Sequence, residues 1–218
     1  EFPLEGSYAG YFRLATSGVE MPQSTNANRY EHNFAYESTA YNKGAVFLGQ
    51  LIYLVGKETF FKILKTYYEE WKFKHPQPND FRRIAERISG IQLQWYLTDW
   101  TQTTNKIDYA IAALDSHEEG SLLRLERKEL MPMPLEILVV SKNGDTDLHY
   151  IPISLMRGEK ENPYSMDWTV EKDWAWANPK YELILKQKKE DIETILIDPS
   201  GLMADVDKSN NYYVAPAE

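Results

Sequence analysis

Residues 41–56 read Tyr-Asn-Lys-Gly-Ala-Val-Phe-Leu-Gly-Gln-Leu-Ile-Tyr-Leu-Val-Gly. Apolar residues recur at helical spacing, and Ala45, Leu48, Ile52 and Val55 share one face of the helix this predicts. Gly56 suits the left-handed position just past a helix end. Downstream, a second helix over about residues 58–73 carries Phe60, Leu64, Tyr67 and Trp71 in one stripe, broadened by Phe61 and Tyr68. The run His75-Pro76-Gln77-Pro78 ends it, because proline lacks the N–H and clashes with the preceding turn. Asn79 or Asp80 is placed to cap a third helix carrying Phe81, Ile84, Ala85 and Ile88, with Gly90 as its stop. Leu93, Tyr96, Leu97 and Trp100 mark a short fourth helix, and residues 101–105 read as a linker. Upstream, residues 1–35 are rich in Gly, Ser, Asn and Tyr without a sustained period, and read as loop or short irregular segments.

After Lys106 the pattern changes from helices to strands, predicted over 107–114, 121–128, 135–141, 147–153, 181–187 and 193–198. Lys142-Asn143-Gly144-Asp145 is a hairpin signal, since Asn-Gly supplies the positive φ angles of a tight primed turn. Pro132 and Pro134 break the chain between two strands. Short strands separated by turn residues point to an antiparallel sandwich. The expected fold class is α+β in two units: an all-α helical subdomain over residues 1–105, then an antiparallel β-sandwich over 106–218.

Composition narrows the function classes. The 218 residues suffice for one large or two small domains. No cysteine is present, which excludes a disulfide scaffold, a thiol nucleophile and a cysteine-held metal. The net charge of −9 argues against nucleic acid or an anionic membrane as partner, and no apolar run is long enough for a membrane segment. The charge is uneven: residues 1–105 carry 11 basic and 11 acidic side chains, whereas residues 106–218 carry 13 and 22. The Glu-Phe-Pro start, with no Met, no basic region and no apolar core, reads as a mature protein or a cut-out fragment.

Spacing alone assembles no complete active site. None of His32, His75, His117 and His149 has a second histidine four residues away, as a helical zinc pair requires. His117-Glu118-Glu119-Gly120-Ser121 starts like a zinc motif, but its fifth position is Ser, and it reads as an exposed turn. Asp198-Pro199-Ser200-Gly201 also reads as a turn. Tyr41, at a loop-to-helix junction, can keep its hydroxyl outside the core and donate a hydrogen bond to a developing oxyanion.

Residues 36–48, Tyr-Glu-Ser-Thr-Ala-Tyr-Asn-Lys-Gly-Ala-Val-Phe-Leu, resemble the Tyr-x-Lys-Gly segment of the gluzincin zinc aminopeptidases, the aminopeptidase N family. Leu54-Val55-Gly56-Lys57-Glu58-Thr59-Phe60, Asn79-Asp80-Phe81 and residues 89–100, Ser-Gly-Ile-Gln-Leu-Gln-Trp-Tyr-Leu-Thr-Asp-Trp, continue the likeness in family order. Residues 106–200 resemble, less sharply, the β-sandwich that follows the catalytic domain there. The resemblance implies that residues 1–105 form the back half of a thermolysin-like catalytic domain. It also implies that Tyr41 stabilises the tetrahedral oxyanion formed at the peptide carbonyl, that Tyr36 lines the substrate site, and that Lys43 and Gly44 shape the helix start. The family's zinc motif, the downstream Glu ligand and the Gly-x-Met-Glu-Asn motif do not occur in this sequence. The chain is therefore expected to be the C-terminal portion of a longer zinc metallopeptidase acting on peptide substrates. Zinc, the upstream catalytic region and an N-terminal β domain would belong to the parent. The chain alone should bind no catalytic zinc and be inactive, and self-association through an uncovered apolar helix face is expected. An exported parent fits the resemblance, and the compartment stays open. The alternatives are a metal-free degenerate relative, or a β-sandwich module binding carbohydrate or protein. In the latter, Trp168, Trp174 and Trp176 would form a platform, against their use as core or seam residues.

Overall fold

The computed structural model describes residues 4–216; the Glu1-Phe2-Pro3 start lies outside them. The chain divides into two compact units. One takes the residues up to Asn105 together with Met156–Pro163, and the other takes Lys106–Leu155 and the chain from Tyr164 onward.

The first unit is helical. Its elements are α1 (Glu5–Ala15), a 3₁₀ turn (Ala27–Arg29), α2 (Asn33–Glu37), a π turn (Ser38–Lys43), α3 (Gly44–Val55), α4 (Lys57–Trp71), α5 (Pro78–Ser89) and α6 (Gln94–Gln102). Helix α1 lies where the sequence suggests irregular chain. Gly6, Ser7 and Gly10 lower its intrinsic propensity, yet Tyr8, Tyr11, Leu14 and Ala15 are buried along one side. Tertiary burial outweighs that local preference.

Helix α3 buries Val46, Gly49, Gln50, Leu51, Tyr53, Leu54 and Val55. Of the four residues expected on its inner face, only Val55 is buried; Leu48 is exposed. A helix this apolar has no single stripe, so its packing partners choose the face. Gly56, at φ 81°, ends α3 and α4 starts at the next residue. In α4, Phe60 and Ile63 are buried, whereas Phe61 and Tyr68 stay exposed. The helix stops at Trp71, ahead of the prolines, where Phe73 takes φ 62°. The cap of α5 is Gln77, not Asn79 or Asp80. Pro78 takes the first helical position, and Asp80 reaches back to accept from the Gln77 N–H at 2.8 Å. Gly90, at φ 73°, closes α5, and Tyr96, Leu97 and Trp100 anchor α6.

Met156–Pro163, from the second half of the chain, packs within this helical unit. Gln92 N–H donates to the Met156 carbonyl at 2.8 Å. The buried Lys160 ammonium donates to the Tyr53 carbonyl at 2.6 Å and lies 4.4 Å from the Tyr53 ring centre.

The second unit holds two sheets. Strands β1 (Tyr109–His117), β2 (Gly120–Arg127) and β6 (Lys180–Leu185) form one, in the order β1-β2-β6. Strands β3 (Leu135–Ser141), β4 (Thr146–Ile151), β5 (Trp168–Val170), β7 (Ile192–Ile197) and β8 (Tyr212–Val214) form the other, in the order β5-β4-β3-β7-β8. All pairings are antiparallel except β4 with β5, so the larger sheet is mixed. Leu123, Leu125, Leu183 and Leu185 of the first sheet, and Ile137, Val139, Ile195 and Ile197 of the second, are core residues.

The β3–β4 connection differs in detail from a primed two-residue turn. Ser141 N–H bonds to the Asp145 carbonyl and Gly144 N–H bonds back to Ser141. Gly144 alone takes a positive φ, 89°. This is a three-residue loop with glycine at the left-handed position. Met131 and Met133 are fully buried, and the Tyr109 hydroxyl donates to the Met133 carbonyl at 3.0 Å while accepting from its N–H at 2.8 Å. The two prolines thus belong to an ordered crossing of the core. Trp174 lies in that core and Trp168 stacks on Tyr150 at 4.5 Å, while Trp176 is exposed. Three coplanar exposed indoles are not formed.

Asp205 is buried where β1 begins, accepting from the N–H groups of Tyr109 and Asp207 at 2.8 and 2.9 Å. Burial pushes its carboxyl up to about 6, against the downward pull of those hydrogen bonds. The folded chain then holds a proton that the unfolded chain, near its ordinary value of 3.8, has released. The stability from this group is complete below the unfolded value and is lost as pH rises through about 6. We expect Asp205→Asn to flatten the pH dependence of unfolding between acid and neutral pH by about 2–3 kcal/mol. Urea midpoints of both proteins across that range check this.

Candidate functional site

The run from Asn33 to Val55 is helical throughout, with the π turn Ser38–Lys43 in its middle. The expectation that a helix opens at Tyr41 is thereby corrected: eight residues of it come first. A π turn adds one residue to a helical turn, and such turns recur at functional sites. Here it divides its own residues sharply. Ser38, Thr39 and Lys43 are buried, whereas Tyr41 is 73% exposed.

The neighbours of this turn come from three places. A Cβ on Gly10 would overlap the Asn42 side chain, so α1 approaches the turn at its smallest residue. On α3, a Cβ on Gly49 would lie 3.0 Å from the Tyr8 hydroxyl, and Gln50 Nε2 donates to that hydroxyl at 2.7 Å. Lys43 Nζ, with no exposure at all, pairs with Glu20 Oε1 at 2.7 Å and donates to the Thr103 carbonyl at 3.2 Å. Lys43 therefore acts inside the unit and does not shape a helix start. Glu20 carried no signal in the sequence, because nothing local ties a loop carboxylate to a lysine 23 residues later.

Tyr36 lies on α2, partly exposed, with its ring 5.5 Å edge-on to Tyr30. The Tyr30 hydroxyl donates to the Pro22 carbonyl at 3.1 Å, and burial raises its phenol above the usual range. Phe34, Tyr36, Tyr41 and Leu48 make up the exposed large apolar side chains of the run.

Other residues considered from sequence are placed elsewhere. His117 closes the β1–β2 turn, its Nδ1 accepting from Glu119 N–H at 3.2 Å. The Ser200 hydroxyl donates to Asp198, and Gly201, at φ 69°, completes that turn. His149 Nδ1 contacts Glu171 Oε1 at 2.7 Å in the β unit. Among the described residues no group of three or more His, Cys, Asp or Glu could hold a metal ion. No helix among them is long and apolar enough to cross a membrane.

Residues 13–100 match the family described as the peptidase family M1 domain. Aminopeptidase M1-B of Oryza sativa subsp. japonica is 23% identical over 138 residues, which is 60% of this chain and 15% of that protein. Aminopeptidase N of Streptomyces lividans is 32% identical over 68 residues, covering 31% of this chain and 8% of that protein. The matched stretch contains the π turn and every helix from α2 to α5, so the likeness read from Tyr36 to Trp100 is borne out as a similarity to that family. The matches span well under a fifth of either relative.

The packing around the turn is testable. Gly10→Val drives side-chain volume into Asn42 and should destabilise the chain by about 1–3 kcal/mol. Gly6, whose Cβ position meets nothing within 4 Å, is the control: Gly6→Ala should be neutral or stabilising by about 0.5 kcal/mol. Equilibrium urea unfolding of both variants distinguishes the two positions.

Proposed function

We propose that this chain is part of a longer zinc-dependent aminopeptidase, and that Tyr41 is its contribution to the chemistry. The observation that carries this reading is a phenol held outward by a turn that buries Ser38, Thr39 and Lys43. A hydroxyl so placed meets a bound peptide without moving the helix beneath it. It donates a hydrogen bond to the carbonyl oxygen as negative charge develops there, a donation worth more in the transition state than in the ground state. Tyr36, five residues earlier and partly exposed, lines the same stretch of surface and contacts substrate. The zinc ligands belong to polypeptide outside this sequence, so the chain alone is inactive.

The apolar side chains left open along the run, Phe34, Tyr36, Tyr41 and Leu48, form the face that meets the remainder of the catalytic domain. Separated from it, the chain self-associates through that face. A carbohydrate-binding platform has less support, since Trp174 is in the core.

Tyr41→Phe removes one oxygen and leaves the ring. In the longer protein it should lower kcat about 10²–10³-fold with KM nearly unchanged. A kcat within about twofold of the parent would overturn the assignment. The longer protein should also carry stoichiometric zinc and a His-Glu-x-x-His motif upstream of Tyr41, and absence of either removes the peptidase reading.

A further inference from the structure

The Glu20–Lys43 pair is unusual for its burial. Neither partner reaches solvent appreciably, with side chains 5% and 0% exposed. Withdrawing two full charges from water costs several kcal/mol per ion, and an apolar pair of similar volume often serves stability as well or better. Stability alone is therefore a weak reason for a charged pair at this place. Direction is a better one, because an ammonium with several acceptors fixes orientation where a methylene chain does not.

The contacts of the pair show which direction is fixed. Lys43 Nζ meets Glu20 from the loop after α1, and the Thr103 carbonyl just past the end of α6; the Trp100 ring centre lies 6.0 Å away. The same loop is tied to the same helix end by Ser24 N–H donating to the Thr101 carbonyl at 2.8 Å. Thr103 is itself held, its hydroxyl donating to the Asp99 carbonyl at 2.7 Å. Lys43 is two residues after Tyr41, about half a turn around the helix, so a side chain anchored inward there turns Tyr41 outward. Asn42, against Gly10, blocks rotation from the α1 side.

We propose that Glu20 and Lys43 are positioning residues for the Tyr41 hydroxyl: their buried ion pair, closed on Thr103, sets the rotation of the π turn and with it the direction of the phenol. The inference rests on the proposed role of Tyr41 for its functional meaning, but its structural half is tested without that role.

The test uses the chain with ring-labelled tyrosine, the Tyr41 resonance being assigned through Tyr41→Phe. Three variants are compared: Lys43→Met, Glu20→Gln, and the double Glu20→Met/Lys43→Met. Lys43→Met strands a buried carboxylate and should both destabilise the chain and move or broaden the Tyr41 resonance. The double variant removes both charges and should recover most of the stability. Its Tyr41 resonance should nevertheless stay displaced, with amide exchange across residues 40–44 faster by about tenfold while that of α5 is unchanged. A double variant with parental stability, parental Tyr41 signal and parental exchange would overturn the proposal, leaving the pair a packing element only. In the longer protein, the double variant should lower kcat toward the Tyr41→Phe value at constant KM, with no further loss when the two are combined. If Tyr41→Phe leaves kcat unchanged while the resonance and exchange effects persist, the oxyanion role fails and the positioning role stands.

Discussion

One surplus residue in a helix, at Ser38–Lys43, governs where the side chains of residues 33–55 point. An α-helix advances about 100° per residue, so a single insertion rotates everything after it relative to everything before. The run Asn33–Val55 therefore presents two differently oriented faces to one environment. Two groups of the widened turn find particular neighbours. Asn42 fits over Gly10, and Lys43 reaches Glu20 and Thr103. Tyr41 is left on the outside.

The same logic of buried polar groups recurs in the β unit with a different outcome. Asp198 and Asp205 sit among hydrogen-bond donors, and burial raises both carboxyls to about 6. They hold loop backbone rather than substrate. Asp198 takes φ 56° and accepts from Met203 N–H, and Asp205 ties the start of β1 to the chain near Asp207. Perturbed acidity alone thus does not mark a catalytic group; here it marks turns enclosed by a core.

Much of the architecture was legible in order along the chain. Glycines at 56 and 90 ended helices because each needs the positive φ that glycine alone adopts freely. Six of the eight strands among the described residues announced themselves by alternation and turn residues. The missed ones, β5 and β8, are three residues each, too short to show a period. Helix α1 was hidden by its glycines, which lower propensity where close packing against Asn42 is needed. The buried face of α3 differs from the one its spacing predicts because nearly every residue in it is apolar.

By itself, the sequence determined the division into a helical and a β half, the family likeness, and the presence of an exposed-phenol candidate at Tyr41. Those properties depend on local preferences and on motifs that neighbouring residues spell out. Only the tertiary structure decided that Tyr41 lies on a π turn, that Lys43 is buried against Glu20, and that Met156–Pro163 packs with the helices. Each of these is a choice among partners distant in sequence. Helix-surplus residues and buried ion pairs arise from that competition for space, which no local window of residues records.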